Sequence, residues 1–154
     1  MNDVAARLDE LGIVLPEPAA PLAAYVGFVR HGDLVFVSGQ LPLEGGAPLM
    51  TGLLGAGVSI EDGQRCARQC TINILAQLRI ACDGDWSLVR RCVRLGGFVA
   101  STADFTDHPK VVNGASELIG DVLGERGAHA RAAVGVSSLP LGVPVEVEAT
   151  FALD

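Results

Sequence analysis

The chain has 154 residues, the size of one ordinary domain, and its formal net charge of −7 argues against nucleic acid as its main partner. Hydrophobic residues make up 49% of it, yet no apolar run is long enough for a membrane span, and its first residues do not have the pattern of a signal peptide. We therefore expect a single cytoplasmic domain over residues 1–154, with no membrane or nucleic-acid partner.

The four cysteines do not have the spacing of a metal site. Cys66 and Cys70 lie one helical turn apart, Cys82 and Cys92 lie farther along the chain, and no C-x-x-C pair occurs. The three histidines are scattered, whereas a structural zinc site needs closer pairs of ligands. We expect reduced thiols, with Cys66 and Cys70 packed in the core, and no metal.

Residues 1–21 are predicted to form a short helix and then an extended connector. Apolar residues spaced by four and three positions predict the helix over residues 3–11. The connector is predicted from three prolines that cannot continue a helix, namely Pro16, Pro18 and Pro21.

Two strands are predicted next, over residues 24–29 and 34–38, joined by a turn at His31-Gly32-Asp33. Ser38-Gly39-Gln40 interrupts the second strand, and Gly39 would let a ligand or another backbone approach closely. The glycine-rich stretch 44–57 is predicted to be a loop. It has neither the Rossmann spacing nor the lysine of a Walker phosphate loop.

Two long amphipathic helices follow. The first is predicted to begin after Ser59, its N-cap, and to run to about Ala81. The second is predicted to be capped by Asp107, to carry Pro109 in its first turn, and to end near Leu123.

Three more strands are predicted, within residues 88–100 and over residues 130–136 and 143–153. The order β-β-α-β-α-β-β after a small helix favours an α+β sandwich, with a mostly antiparallel sheet and both long helices on one face. Strands rich in Val and Leu on both faces predict that oligomer contacts cover the other face.

The last two strands carry the residues with the most chemistry. Arg131 opens one of them, and Glu146 and Glu148 point to one face of the next. If the two strands pair around the Pro/Gly turn between them, the guanidinium could bind a small carboxylate while a Glu handles protons or water. The alternative is an ordinary hairpin with a surface salt bridge.

Six short segments, in a fixed order and with compatible spacings, carry a resemblance to a known family. They are Tyr25-Val26, Val37-Ser38-Gly39-Gln40-Leu41-Pro42, Asp104-Phe105, Val112-Asn113, Arg131-x-x-Val134-x-Val136-x-x-Leu139-Pro140 and Val145-Glu146-Val147-Glu148. Over residues 25–151 the chain resembles the RidA/YjgF family of enamine/imine deaminases, formerly called endoribonuclease L-PSP-like. Its extra N-terminal segment and the longer stretch between Asn113 and Arg131 are similar to a longer-chain subgroup.

The resemblance implies a chorismate-mutase-like α+β fold, assembled as a homotrimer with clefts at the subunit interfaces. It implies hydrolysis of 2-imino acids, formed from reactive enamines, to 2-ketoacids and ammonia without a metal or organic cofactor. Arg131 would grip the substrate carboxylate and Glu146 would orient or activate the attacking water. Tyr25, Gly39 and Asn113 would line the cleft.

Two other functions remain open. One is a related catabolic hydrolase of another small imine or carbonyl compound, and the other is a non-catalytic trimer that binds a small carboxylate. Retention of both Arg131 and Glu146 favours an enzyme, because a binder needs only the arginine. Position 133 is Ala, where the deaminases carry a cysteine in the cleft. His129, two residues before Arg131, falls on the same strand face and could touch the cleft, but it is interpreted as a structural or solvent-facing histidine, because no neighbour in the sequence orients it.

Overall fold

The computed structural model describes residues 4–18 and 24–154. Helix α1 (Val4–Glu10) lies within the predicted helix, and residues 13–18 that follow it belong to no helix or strand. The predicted helix start at Asp3 and the last connector proline, Pro21, lie outside the described residues. Val4 and Leu8 are the buried side chains of α1.

The strands are, in chain order, β1 (Phe28–His31), β2 (Leu34–Gln40), β3 (Leu43–Glu44), β4 (Ala47–Pro48), β5 (Leu53–Leu54), β6 (Gly57–Val58), β7 (Val89–Ala100), β8 (Ala130–Val136) and β9 (Val145–Leu153). The described residues form one five-stranded sheet in the order β1-β2-β9-β7-β8. All its neighbouring strands are antiparallel except β7 and β8, which are parallel.

The predicted pairing of the last two strands is wrong, because β7 lies between β8 and β9. A parallel neighbour needs a crossover connection, and the second long helix supplies one between β7 and β8. Strand β8 therefore pairs with one edge of β7, and β9 pairs with the other edge. The segment after β8 contains a short 3-10 turn, Pro140–Gly142, and leads to β9.

Two long helices, α2 (Ile60–Ala81) and α3 (His108–Leu123), pack on one face of this sheet. The prediction of an α+β sandwich with a mostly antiparallel sheet is confirmed. The Ser59 side chain accepts a hydrogen bond from the Asp62 amide at 3.1 Å, so the predicted N-cap of α2 is confirmed. Asp107 precedes α3 but makes no capping hydrogen bond, and its carboxylate instead lies 3.2 Å from the Lys110 ammonium.

Several predicted boundaries differ from the structure. Strand β1 begins at Phe28 and not at residue 24, and residues 24 and 25 lie in a bend. Strand β2 continues through Gln40, but its pairing with β9 shifts register between Val37 and Gln40, so the predicted interruption is a bulge. The loop predicted over 44–57 contains two short strand pairs, β3 with β4 and β5 with β6. Strand β9 begins at Val145 and not at residue 143.

The core lies between the helices and the sheet. All four cysteines are buried in or against it, as predicted for Cys66 and Cys70. Burial raises the pKa of the Cys66 thiol to about 11 and that of Cys92 to about 12. In the described part of the chain, no cluster of three or more His, Cys, Asp or Glu residues could hold a metal ion. None of the helices in the described ranges is long and apolar enough to cross a membrane.

The face of the sheet away from the helices carries exposed apolar side chains. Phe36 of β2 is 47% exposed, and Val29 and Leu34 are exposed near it at the β1–β2 edge. Val134 of β8, at the opposite edge of the sheet, is 46% exposed. Large apolar side chains on one open face are typical of a surface that another protein chain covers. We refer to this surface as the open face.

The two long helices approach each other closely at Gly114 of α3. A Cβ on Gly114 would collide with the backbone carbonyl of Gln64 on α2, whereas a Cβ on Gly120 of the same helix meets nothing within 4 Å. We predict that Gly114→Ala lowers the free energy of unfolding by about 1–3 kcal/mol through overpacking. Gly120→Ala, the matched control, should raise it by up to about 1 kcal/mol through helix propensity.

Urea unfolding at one fixed protein concentration measures both changes. Equal effects of the two substitutions would contradict the close helix contact.

Candidate functional site

Arg131 lies at the start of the edge strand β8, opposite Leu95 of β7. Two positions further along β8, Ala133 lies opposite Gly97, and a Cβ on Gly97 would collide with Val112 of α3. Residues two apart on a strand share a face, so Arg131 and Ala133 both face the helices. The side chain of Arg131 therefore runs along α3, half-buried at the edge of the sheet.

Three acceptors on α3 hold the guanidinium of Arg131. Its Nη1 donates to Asn113 Oδ1 at 2.8 Å and to Ser116 Oγ at 3.1 Å, and its Nη2 donates to the Pro109 carbonyl at 3.3 Å. A guanidinium has five N–H donors. Within the described residues, Nε and one hydrogen of Nη2 have no acceptor. A carboxylate matches a pair of such donors through two parallel hydrogen bonds.

A second layer of hydrogen bonds lies behind this arginine. The Nε2 atom of His129 lies 2.9 Å from Ser116 Oγ, and its Nδ1 atom lies 2.6 Å from the Gly127 carbonyl. A carbonyl only accepts, so Nδ1 carries a hydrogen, and in the neutral imidazole Nε2 then accepts from the Ser116 hydroxyl. His129 thus has two partners that orient it, one of them thirteen positions away in the sequence.

Glu146 lies on the opposite face of the sheet. It stands opposite Phe98 of β7, while its neighbours Val145 and Val147 point into the core. Gly39 of β2 lies directly against it, because a Cβ on Gly39 would collide with Glu146 Oε1. The close approach predicted for Gly39 is therefore an approach to Glu146.

The structure thus divides the predicted site residues into two groups. Arg131 and Asn113 are hydrogen-bonded on the helix face, and Glu146 and Gly39 are in contact on the open face. The predicted meeting of Arg131 with a Glu across a hairpin does not occur within one chain. Tyr25 is 55% exposed in the bend before β1. The next residue, Val26, accepts a hydrogen bond from the Ser38 hydroxyl at 2.6 Å, which ties this bend to the residue before Gly39.

The two carboxylates of β9 have different surroundings. Glu148 Oε1 lies 3.5 Å from Nη1 of Arg94 on β7, at the wall of a pocket of about 110 Å³ on the open face. Glu146 has no such ion pair with a described residue. Burial and then the negative charge of Glu148 raise the pKa of Glu146 above its ordinary value of 4.5.

Sequence reasoning missed Ser116 and the role of His129. Ser116 follows Asn113 by three positions, and helix residues three apart share a face. That spacing could have placed Ser116 beside Arg131 once Asn113 was singled out. No comparable signal existed for His129, whose partners depend on how the turn before β8 packs against α3.

The chain is an α+β sandwich in which the guanidinium of Arg131 bonds three acceptors of α3 and keeps two hydrogens without an acceptor among the described residues. The sequence model of the family described as "YjgF/chorismate_mutase-like, putative endoribonuclease" matches residues 5–149. The chain belongs to this family, so the resemblance to RidA/YjgF proteins is confirmed.

Individual relatives are similar over most of their length. The chain is 47% identical over 152 residues to Protein TCP17 of Trypanosoma cruzi, covering 98% of this chain and 94% of that protein. It is 32% identical over 129 residues to the RutC family protein y4sK of Sinorhizobium fredii, covering 84% of this chain and 86% of that protein. The crystal structure of Atu1372 from Agrobacterium tumefaciens is 49% identical with a TM-score of 0.92, covering 98% of this chain and 92% of that one.

The surroundings of Glu146 predict an NMR titration. We expect the carboxyl carbon of Glu146, identified by its loss in Glu146→Gln, to titrate above 4.5. In Glu148→Gln the pKa of Glu146 should fall, because a like charge has been removed, but not to its ordinary value, because burial is the larger cause. A Glu146 titration at or below 4.5 in the wild type would contradict this.

Proposed function

We propose that this protein hydrolyses 2-imino acids to 2-ketoacids and ammonia, in clefts formed between copies of the chain. The observation that carries the proposal is the guanidinium of Arg131, which three acceptors of α3 hold while Nε and one Nη2 hydrogen stay available. Those two donors suit a carboxylate. A 2-imino acid carries its electrophilic carbon one bond from the carboxylate.

Hydrolysis of an imine requires that the enzyme position the substrate and transfer protons. Water adds to the imine carbon and gives up a proton, while the imine nitrogen gains one, which forms a tetrahedral carbinolamine. Collapse of the carbinolamine restores a C=O bond and expels ammonia. Arg131 fixes the substrate through its carboxylate, and Glu146 takes the proton from the attacking water. The raised pKa of Glu146 supports this role, because a base works best when its pKa lies nearer to the working pH.

The separation of the two groups supports an oligomeric site. Within one chain Arg131 and Glu146 lie on opposite faces of the sheet, so Glu146 must come from a neighbouring copy to face the same substrate. The exposed apolar side chains of the open face give such a copy a surface to cover. We propose a homotrimer in which each cleft takes Arg131 and Asn113 from one copy and Tyr25, Gly39 and Glu146 from the next.

A ribonuclease activity is less well supported than imine hydrolysis. RNA binding needs basic residues to neutralise phosphates, and the chain has 18 acidic residues against 11 basic ones. Arg94, the basic residue of the open-face pocket, is already paired with Glu148.

We predict that the protein competes with semicarbazide for imines. An amino-acid oxidase generates 2-imino acids from small, aliphatic and aromatic amino acids, and semicarbazide traps the free imine. Wild-type protein should lower the yield of trapped product. Arg131→Lys keeps the charge but loses the planar fork, so kcat/KM should fall about 10–100-fold, in keeping with the loss of hydrogen bonds to a charged group.

Arg65→Lys is the matched control, since Arg65 is an exposed arginine of α2 paired with Asp62, and it should leave trapping unchanged. Unaltered trapping across all imino acids with the wild type would reject the deaminase and favour a non-catalytic carboxylate binder or a hydrolase of another small compound.

We also predict that two inactive variants restore activity when they are assembled together. Arg131→Ala and Glu146→Gln should each be inactive alone. When the two are unfolded together and refolded at equal amounts, random assortment in a closed ring gives about a quarter of the clefts an intact Arg131 and an intact Glu146. Sedimentation should show trimers. Trimers that stay inactive after mixing would mean that both residues of a site belong to one chain.

A further inference from the structure

We propose that Ser116 and His129 are positioning residues for Arg131, and that they set the direction in which its free donors meet a carboxylate. This inference deepens the proposed function and rests on its assignment of Arg131 to the carboxylate. The geometry behind it is a hydrogen-bond chain that runs from the guanidinium through Ser116 and His129 to the Gly127 carbonyl.

An arginine on an edge strand needs such support. Its side chain has many rotamers, and holding it in one of them costs conformational entropy each time a ligand binds. If acceptors already hold the guanidinium in one rotamer, less conformational entropy is lost when the ligand binds. Of the three acceptors of Arg131, Ser116 Oγ at 3.1 Å is itself free to rotate about its Cα–Cβ and C–O bonds. Its orientation therefore has to be fixed by something else.

His129 supplies that orientation. Arginine only donates, so Ser116 Oγ must accept from Nη1 and direct its own hydrogen elsewhere. The Nε2 atom of His129 lies 2.9 Å away and accepts that hydrogen, because Nδ1 is committed as a donor to the Gly127 carbonyl. The donor and the acceptor of each hydrogen bond between Arg131 and Gly127 are thereby determined, and a lone pair of Ser116 Oγ points at the guanidinium.

The last acceptor of this series of hydrogen bonds, the Gly127 carbonyl, lies in a turn that packs against α3. Gly127 ends the short 3-10 turn Gly124–Gly127 and is buried. A Cβ on Gly127 would lie 2.6 Å from the Ile119 carbonyl of α3, so the turn packs directly on the helix that carries Ser116. Helix α3, this turn and strand β8 are held in one arrangement around Arg131.

The test uses pyruvate, a small 2-ketoacid, as the probe. Calorimetry measures its Kd, and NMR follows the Nε–H signal of Arg131, identified by its loss in Arg131→Lys. We expect Ser116→Ala to weaken pyruvate binding about tenfold and to broaden the Nε–H signal while the backbone amide spectrum stays unchanged. Ser116→Thr, which keeps the hydroxyl, should restore both.

Two histidine variants separate the hydrogen bond from the bulk of the ring. His129→Phe keeps a planar ring without an acceptor, and it should weaken pyruvate binding as Ser116→Ala does. His129→Gln offers an oxygen to the Ser116 hydroxyl and should have the smaller effect. Ser87→Ala is the matched control, because the Ser87 hydroxyl bonds Asp85 in the turn before β7, and the Kd should not change.

The outcomes distinguish this inference from the proposed function. Unchanged Kd and an unchanged Arg131 signal in Ser116→Ala and His129→Phe would overturn the positioning role, even if imine hydrolysis is present. Pyruvate binding that weakens as expected, in a protein without imine hydrolysis, would support the positioning role and reject the deaminase. A wild type that binds no pyruvate would overturn both.

Discussion

The approach of α3 to β7 at Gly97 determines where the rest of the site lies. Gly97 has no side chain on the helix face, and Val112 of α3 occupies the space that a Cβ would need. This contact brings the next residue of α3, Asn113, within 2.8 Å of the guanidinium of Arg131. The neighbouring Gly96 makes room on the other face, where a Cβ would lie 2.7 Å from Glu148 Oε1. The absence of side chains at two adjacent glycines thus leaves space for α3 on one face of the sheet and for the Glu148 carboxylate on the other.

The position of β7 inside the sheet has a chemical consequence. Because β8 pairs with one edge of β7 and β9 with the other, the guanidinium of Arg131 and the carboxylate of Glu146 lie on opposite faces of the sheet. In the proposed reaction, Arg131 binds the substrate carboxylate and Glu146 takes the proton, so neither residue alone is sufficient. Under the proposed function, assembly is therefore a requirement of the chemistry, and the apolar open face serves the reaction by bringing a second copy into contact.

The sequence was most informative where local rules decide the structure. Helix α2 was predicted from its apolar spacing and from Ser59, and both signals depend on residues within one or two turns. Asp107 has the right residue type for a cap, yet Lys110 engages its carboxylate at 3.2 Å. The pairing of β8 with β7 could not be read from alternation, which fixes the face of each side chain but not the neighbouring strand. The Ser116–His129 contact depends on tertiary packing in the same way. Of the three acceptors on α3 that bond Arg131, the family resemblance identified only Asn113.

Glu146 and Glu148 illustrate how two identical side chains acquire different properties from their neighbours. Both point to the open face from one strand, two positions apart. Glu148 Oε1 lies 3.5 Å from Nη1 of Arg94. Glu146 lies against the backbone of Gly39, where water is partly excluded, and the charge of Glu148 adds to the cost of ionising it. Burial first, and then the charge of Glu148, raise the pKa of Glu146 and make its carboxylate a stronger base. A base that must take a proton from water and later return it benefits from this arrangement, since a carboxylate of ordinary pKa would hold the proton too weakly.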